Sequence, residues 1–225
     1  MNATPTATPT HPVPAPPAGE RLDDQRAAIT ELGDELRALV DAVVRTETPP
    51  DVLRLVTDEV RLLTGQLTGH RRVRAEIPAV DEFPGGVRMY SPVTGPGSPL
   101  APPMRVTPGD GGMIGRCTLG IAHEGPPGYG HGGMSAMLLD EVMGWACAGA
   151  GLPGMTVSLQ VRYRRPVPLE TPLRVHARVT GTEGRKIFLE GSISTEEDTV
   201  VTAEAVFVTP DPDRTRALFP ELRAE

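Results

Sequence analysis

Two adjacent acids, Asp140 and Glu141, are the residues of this chain best placed to do chemistry. They sit in Gly128-Tyr-Gly-His-Gly-Gly-Met-Ser-Ala-Met-Leu-Leu-Asp-Glu-Val-Met-Gly-Trp145, a glycine-rich loop running into an apolar helix. His131, Gly132 and Gly133 fall at the helix start, and the acids follow about two and a half turns later. On a helix, Asp140 shares a face with Gly133, Ala136, Met137, Gly144 and Cys147, and Glu141 with Met134, Met137, Leu138, Trp145 and Ala148. Neither acid lies on a polar stripe, because this helix has none. A helix apolar all round is normally buried, and buried acids are rare unless paired or put to use. The spacing therefore places at least one carboxylate inside the protein, beside a helix N-terminus.

Other chemistries lack their residues. No His, Cys or acid pair has metal-ligand spacing and no Cys-x-x-Cys occurs, so no metal and no cofactor is expected. There is no Gly-x-Ser-x-Gly elbow. Cys117 and Cys147 both lie in apolar segments and read as buried free thiols. A formal net charge of -7 supplies no basic field for nucleic acid. No apolar run reaches membrane-spanning length, and the first residues lack the features of a secretory signal, so the expected location is cytoplasmic.

The elements that must hold the acids in place are legible from periodicity. A strand is expected near Pro103–Val106 and another over Gly112–Ala122. After the central helix the period becomes two: Met155–Tyr163 alternates apolar and polar without exception, and so do Leu173, Val175, Ala177 and Val179 with their polar neighbours. Ile187, Leu189 and Ile193 mark a third strand and Val200–Val208 a fourth, with tight turns between, which predicts a four-stranded antiparallel meander. The element able to cover that sheet is the helix itself. The expected fold is α+β, a curved antiparallel sheet wrapped around one long helix.

Ahead of it, residues 1–18 are an Ala/Thr/Pro tail expected to be disordered. Residues 19–69 carry two amphipathic helices, broken at Thr48-Pro-Pro-Asp51 with Asp51 as a plausible N-cap, and read as a helical hairpin whose apolar faces need the main domain or a second subunit as partner. Residues 70–102 read as an irregular linker with a basic cluster, His70 to Arg74; 103–209 form the main domain and 210–225 a loosely attached tail.

Pro126-Pro-Gly-Tyr-Gly-His-Gly-Gly133, with an acid nine residues after the histidine, resembles the hotdog-fold acyl-CoA thioesterases of the PaaI-like branch, as does Val161-Arg-Tyr-Arg-Arg-Pro166. The resemblance covers roughly 103–209. It implies a hotdog fold and hydrolysis of an acyl-CoA thioester to free acid and CoA. It implies that Asp140 is the catalytic carboxylate, as nucleophile or as general base on water. Gly132 would offer its N–H to the thioester oxygen, His131 would fix the loop, and Thr156 would orient the water or the acid. Gly133, His123, Arg164 and Arg165 are the expected substrate contacts, the arginines through the phosphates of CoA. In the family the carboxylate and the glycine come from different subunits, which implies a homodimer or tetramer. Many relatives carry Asn or Gln where this chain has Gly125, with His123 and Glu124 beside it. The alternatives are a non-catalytic acyl-CoA-binding hotdog domain and an enoyl-CoA hydratase.

Overall fold

The computed structural model describes residues 18–211, except 70, 74–75 and 83–85. Most of both expected tails, together with His70 and Arg74, lies outside the described residues. Two helices, α1 (Ala18–Arg45) and α2 (Pro50–Leu67), precede β1 (Arg105–Gly109), β2 (Gly112–Thr118), a short 3-10 turn (Ile121–His123), α3 (Gly132–Gly149), β3 (Met155–Tyr163), β4 (Pro172–Glu183), β5 (Lys186–Ser194) and β6 (Thr199–Val208). The run expected to continue as strand to Ala122 instead ends at Thr118. The N-cap of α2 is Pro49 rather than Asp51, and Asp51 lies in the first helical turn.

The strands form one antiparallel sheet in the order β1-β2-β4-β5-β6-β3. This corrects the expected meander. β3 does not neighbour β4; it pairs with β6 at the far edge. The reason is the connection 164–171. Its prolines cannot continue a ladder, and it runs along the glycine loop instead, with Gly130 N–H donating to Val167 O at 2.8 Å and Tyr129 bridging to Pro168. The chain thereby crosses the end of the sheet, and β4 enters beside β2.

Alternation then decides what meets α3. Val175, Ala177, Leu189, Ile193, Ala203, Ala205 and Phe207 are buried on one face, against Leu138, Leu139, Val142 and Met143 of the helix. Fully burying each large apolar side chain stabilises the fold by about 1.5–3 kcal/mol. Helix and sheet approach so closely at Gly191 that a Cβ there would stand 2.9 Å from Met143 Cε and 3.1 Å from Leu139 Cδ2.

The segment read as a linker contributes Val93 to this core, and Met104 joins it from just before β1; both are 2% exposed, as is Met89 within the segment. α1 fastens the segment down: Arg37 Nη1 donates to Pro96 O at 2.9 Å and Ser98 O at 2.7 Å, and Arg26 Nε to Val80 O at 2.9 Å. By contrast α2 buries none of its residues, and Leu55, Leu62, Leu63 and Leu67 are all more than half exposed.

Candidate active site

The glycine loop is braced before α3 begins. Glu124 accepts the Gly128 N–H at 2.7 Å, and His123 O accepts the His131 N–H at 2.8 Å. His131 is the N-cap of α3: its Nδ1 accepts the Gly133 N–H at 3.0 Å, so that nitrogen carries no proton. The Met134 N–H is taken by His131 O at 2.9 Å. A helix start leaves its first N–H groups without intrahelical partners. Here the second and third are satisfied, and the Gly132 N–H alone of these has no partner among the described residues. The hydroxyl of Tyr163, at the end of β3, donates to Gly132 O at 2.8 Å and so fixes the plane of the following peptide. A Cβ on Gly132 would stand 3.3 Å from that hydroxyl.

Asp140 lies on the flank of α3 that the sheet does not cover. Neither acid of the pair is fully buried; both are half-buried in this single chain. The flank stays apolar but open, because strands cover one side of α3 and the 89–104 segment another. Thr156 donates its hydroxyl to Asp140 Oδ1 at 2.7 Å. That contact depends on a β-bulge. Thr156 pairs with Phe207 but Ser158 pairs with Val206, leaving Val157 as the extra residue. In a regular strand Thr156 would share the outer face with Ser158, Gln160 and Arg162. The bulge turns it to the helix side, as bulges near functional sites do. Alternation in the sequence carries no sign of this inversion; the 63% exposure of Val157 is its structural mark.

Glu141 accepts from Thr94 Oγ1 at 3.1 Å and Trp145 Nε1 at 3.3 Å, which ties α3 to the 86–104 segment. Asp140, Thr156, Trp145, Phe207 and Arg88 line one cleft of about 300 Å³. The cleft thus has a carboxylate with its hydroxyl donor, aromatic walls, and one side contributed by the supposed linker. Arg88 was not anticipated there. It is held by Asp81 at 3.0 Å, and no periodicity in 70–102 could have placed it.

The remaining expected contacts are scattered. His123 Nε2 lies 3.4 Å from Leu100 O, against the 86–104 segment. Arg165 is ion-paired with Asp198. Arg164 lines a separate cleft on the outer face of the sheet with Arg162, His176 and Glu190. Burial pushes the Cys117 thiol up to about 12 and Cys147 up to about 11, so both stay protonated at neutral pH and neither is poised as a nucleophile. Among the described residues no group of His, Cys and acids is arranged to hold a metal ion, and no helix is long and apolar enough to cross a membrane.

Comparison with known proteins bears on this geometry. The Thioesterase superfamily family model matches residues 127–202, from the glycine loop into β6. The chain is similar to the acyl-coenzyme A thioesterase THEM4 of Rattus norvegicus, 37% identical over 97 residues, which is 42% of each protein. It is also similar to THEM4 of Xenopus laevis, 36% identical over 86 residues, 36% of this chain and 37% of that protein. The matched stretch therefore spans less than half the length of these curated relatives. A thioesterase superfamily protein of known crystal structure is 40% identical, with a TM-score of 0.72 over 80% of this chain and 94% of its own. That match takes in more of the chain than the sheet and α3, and so reaches into the segment before them.

Proposed function

Because this chain belongs to the thioesterase superfamily, we propose that it hydrolyses an acyl-CoA thioester to the free acid and CoA, with Asp140 and Gly132 as the reacting pair. The observation that carries this reading is the arrangement around α3. A carboxylate is held by the Thr156 hydroxyl at 2.7 Å, in a cleft walled by Trp145 and Phe207, on a helix whose first N–H is left free. The similarity to enzymes named acyl-coenzyme A thioesterases supports the substrate class.

In this mechanism the Gly132 N–H, at the positive end of the helix, donates to the thioester oxygen as it gains negative charge. Removing one such donor costs about 2.7–4 kcal/mol of barrier. Asp140 takes the proton of a water that attacks the carbonyl carbon, or adds to that carbon itself to give an anhydride that water then opens. The C–S bond breaks, and the proton goes to the departing thiolate. Thr156 aims the carboxylate, and His131 and Gly133 keep the helix start in shape. Arg164, whose side chain has no partner among the described residues, suits a CoA phosphate better than Arg165, already occupied by Asp198.

Gly132 and Asp140 are eight residues apart on one helix, about 12 Å along its axis. No single thioester can meet both in one chain. The reading therefore requires a homo-oligomer, in which the Gly132 of one copy faces the Asp140 of another. The uncovered flank of α3 and the free edge of β3 are the surfaces such a copy would meet. Two free thiols fit a cytoplasmic setting.

The test is thiol release across short, long and aromatic acyl-CoAs, with crotonyl-CoA hydration followed in parallel. Thiol release with at least one of these esters and no hydration is expected. Binding of acyl-CoA without thiol release would overturn the reading in favour of a non-catalytic binding domain, and hydration of crotonyl-CoA would do so in favour of a hydratase.

The Tyr163 contact gives a second measurement. Tyr163→Phe removes a neutral hydrogen bond worth about 1 kcal/mol, which corresponds to a loss of about fivefold. The loss is expected in kcat with KM unchanged, because releasing the Gly132 carbonyl loosens the residue whose N–H, on the preceding peptide, meets the thioester oxygen as charge develops.

A further inference from the structure

The outer face of the sheet, turned away from α3, carries charge in a pattern that the proposed hydrolysis does not use. Arg105 of β1 lies directly opposite Arg116 of β2, and Arg116 directly opposite Arg174 of β4. Side chains paired in this way share a face, with Cβ atoms about 4.5–5.5 Å apart. Three arginines are thus in register across three neighbouring strands, and like charges directly opposite oppose strand pairing. The same face is built otherwise nearby, where Arg178 meets Glu190 at 2.6 Å and Arg162 faces Glu204 at 3.5 Å. Within the row, Arg174 is ion-paired with Asp110 at the β1–β2 turn. Arg105 and Arg116 meet no acid among the described residues.

Next to the row is a cavity of about 530 Å³ lined by Arg116, Arg174, Thr118, Ser194, Thr195 and Glu196, together with the apolar Cys117, Pro172 and Leu173. The charged groups facing the row are Asp110, Glu196 and, through its contact with Asp110 O at 3.3 Å, His176. Even against both acids, three arginines leave a local positive excess in a chain whose formal net charge is -7.

We infer that this row is a binding site for a small anion carrying a diphosphate group. Guanidinium forks bind phosphate oxygens in pairs. Neighbouring strands lie about 4.8 Å apart, so the three arginines span about 10 Å, a reach that two linked phosphates can bridge from adjacent forks. The hydroxyl of Thr118 adds an uncharged donor at the cavity wall; those of Ser194 and Thr195 already bond to Thr199 and to Asp198 O. An anion seated there offsets the repulsion that the register otherwise imposes. The site lies on the opposite face of the sheet from Asp140. The diphosphate can come from the nucleotide end of CoA or from a separate phosphorylated metabolite.

The test is calorimetric titration of the full chain with inorganic pyrophosphate, alongside Arg105→Gln/Arg116→Gln and the acid-paired control Arg178→Gln. Wild type is expected to bind with an affinity that falls as salt rises. The double variant is expected to bind at least tenfold more weakly, and the control as wild type does. The ligand-free double variant is expected to melt no lower than wild type, since it has lost like-charge neighbours. Wild type that does not bind millimolar pyrophosphate, or a double variant that binds it equally well, would overturn the inference. The source follows from KM for one acyl group carried on CoA and on N-acetylcysteamine. A rise in the double variant for the CoA ester alone assigns the site to CoA; no rise for either assigns it to a separate ligand. The pyrophosphate titration stands whether or not the chain proves to be a hydrolase.

Discussion

Asp140→Asn lowers kcat for thiol release by about a thousandfold, within the 10²–10⁴ range of a positioned base. Asparagine keeps an oxygen where Asp140 Oδ1 accepts the Thr156 hydroxyl at 2.7 Å, so the local geometry is retained. What it loses is the ability to take a proton or to attack a carbonyl. Substrate binding rests on the aromatic walls of the cleft and on groups distant from the carboxylate, so KM is expected to change by less than threefold. Steady-state thiol release gives both parameters, and thermal melting checks that the fold is intact. A kcat within tenfold of wild type, in a variant that melts normally, would remove Asp140 from the reaction.

The largest expected effect on stability is at Leu139, which is 0% exposed and faces Gly191 across the interface of α3 and the sheet. Leu139→Ala removes the side chain where neighbours are fixed on both sides, so little collapse can follow. Such a change costs about 2–5 kcal/mol. At about 2–4 °C per kcal/mol for a domain of this size, the melting temperature is expected to fall by about 5–20 °C. Leu55→Ala on α2 is the comparison. Its side chain is 66% exposed, and truncation there should change stability by no more than about 0.5 kcal/mol. Calorimetry on both variants would show the contrast. Similar losses at the two sites would mean that α2 is covered in the native assembly.

The parts of the fold readable from the sequence were those governed by local pattern. An apolar helix opening on glycines, period-two strands after it, and acids at a fixed helical offset all follow from neighbouring residues. What was not readable depends on contacts between distant segments. The position of β3 beside β6 rather than β4 follows from the 164–171 connection lying against the glycine loop, and alternation has no term for that. The bulge at Val157 adds one residue to a strand whose pattern looks unbroken, yet it alone brings Thr156 to Asp140. The stretch 86–102 has neither period, so nothing marked Val93 as core or Arg88 as a wall of the cleft. The irregularity expected of it is real; its burial comes from the backbone contacts made by Arg37 and from apolar side chains spaced without rhythm.

The deep seating of that irregular stretch bears on how the protein is made. Val93 and Met104 leave the ribosome before any of the strands and the central helix that enclose them. β3, synthesised earlier than β4 and β5, has no strand to pair with until β6 appears. Val93 and Met104 therefore stay unprotected until the strands that cover them have been translated. The nascent chain is most vulnerable to proteases and to wrong partners while β6 is still inside the exit tunnel.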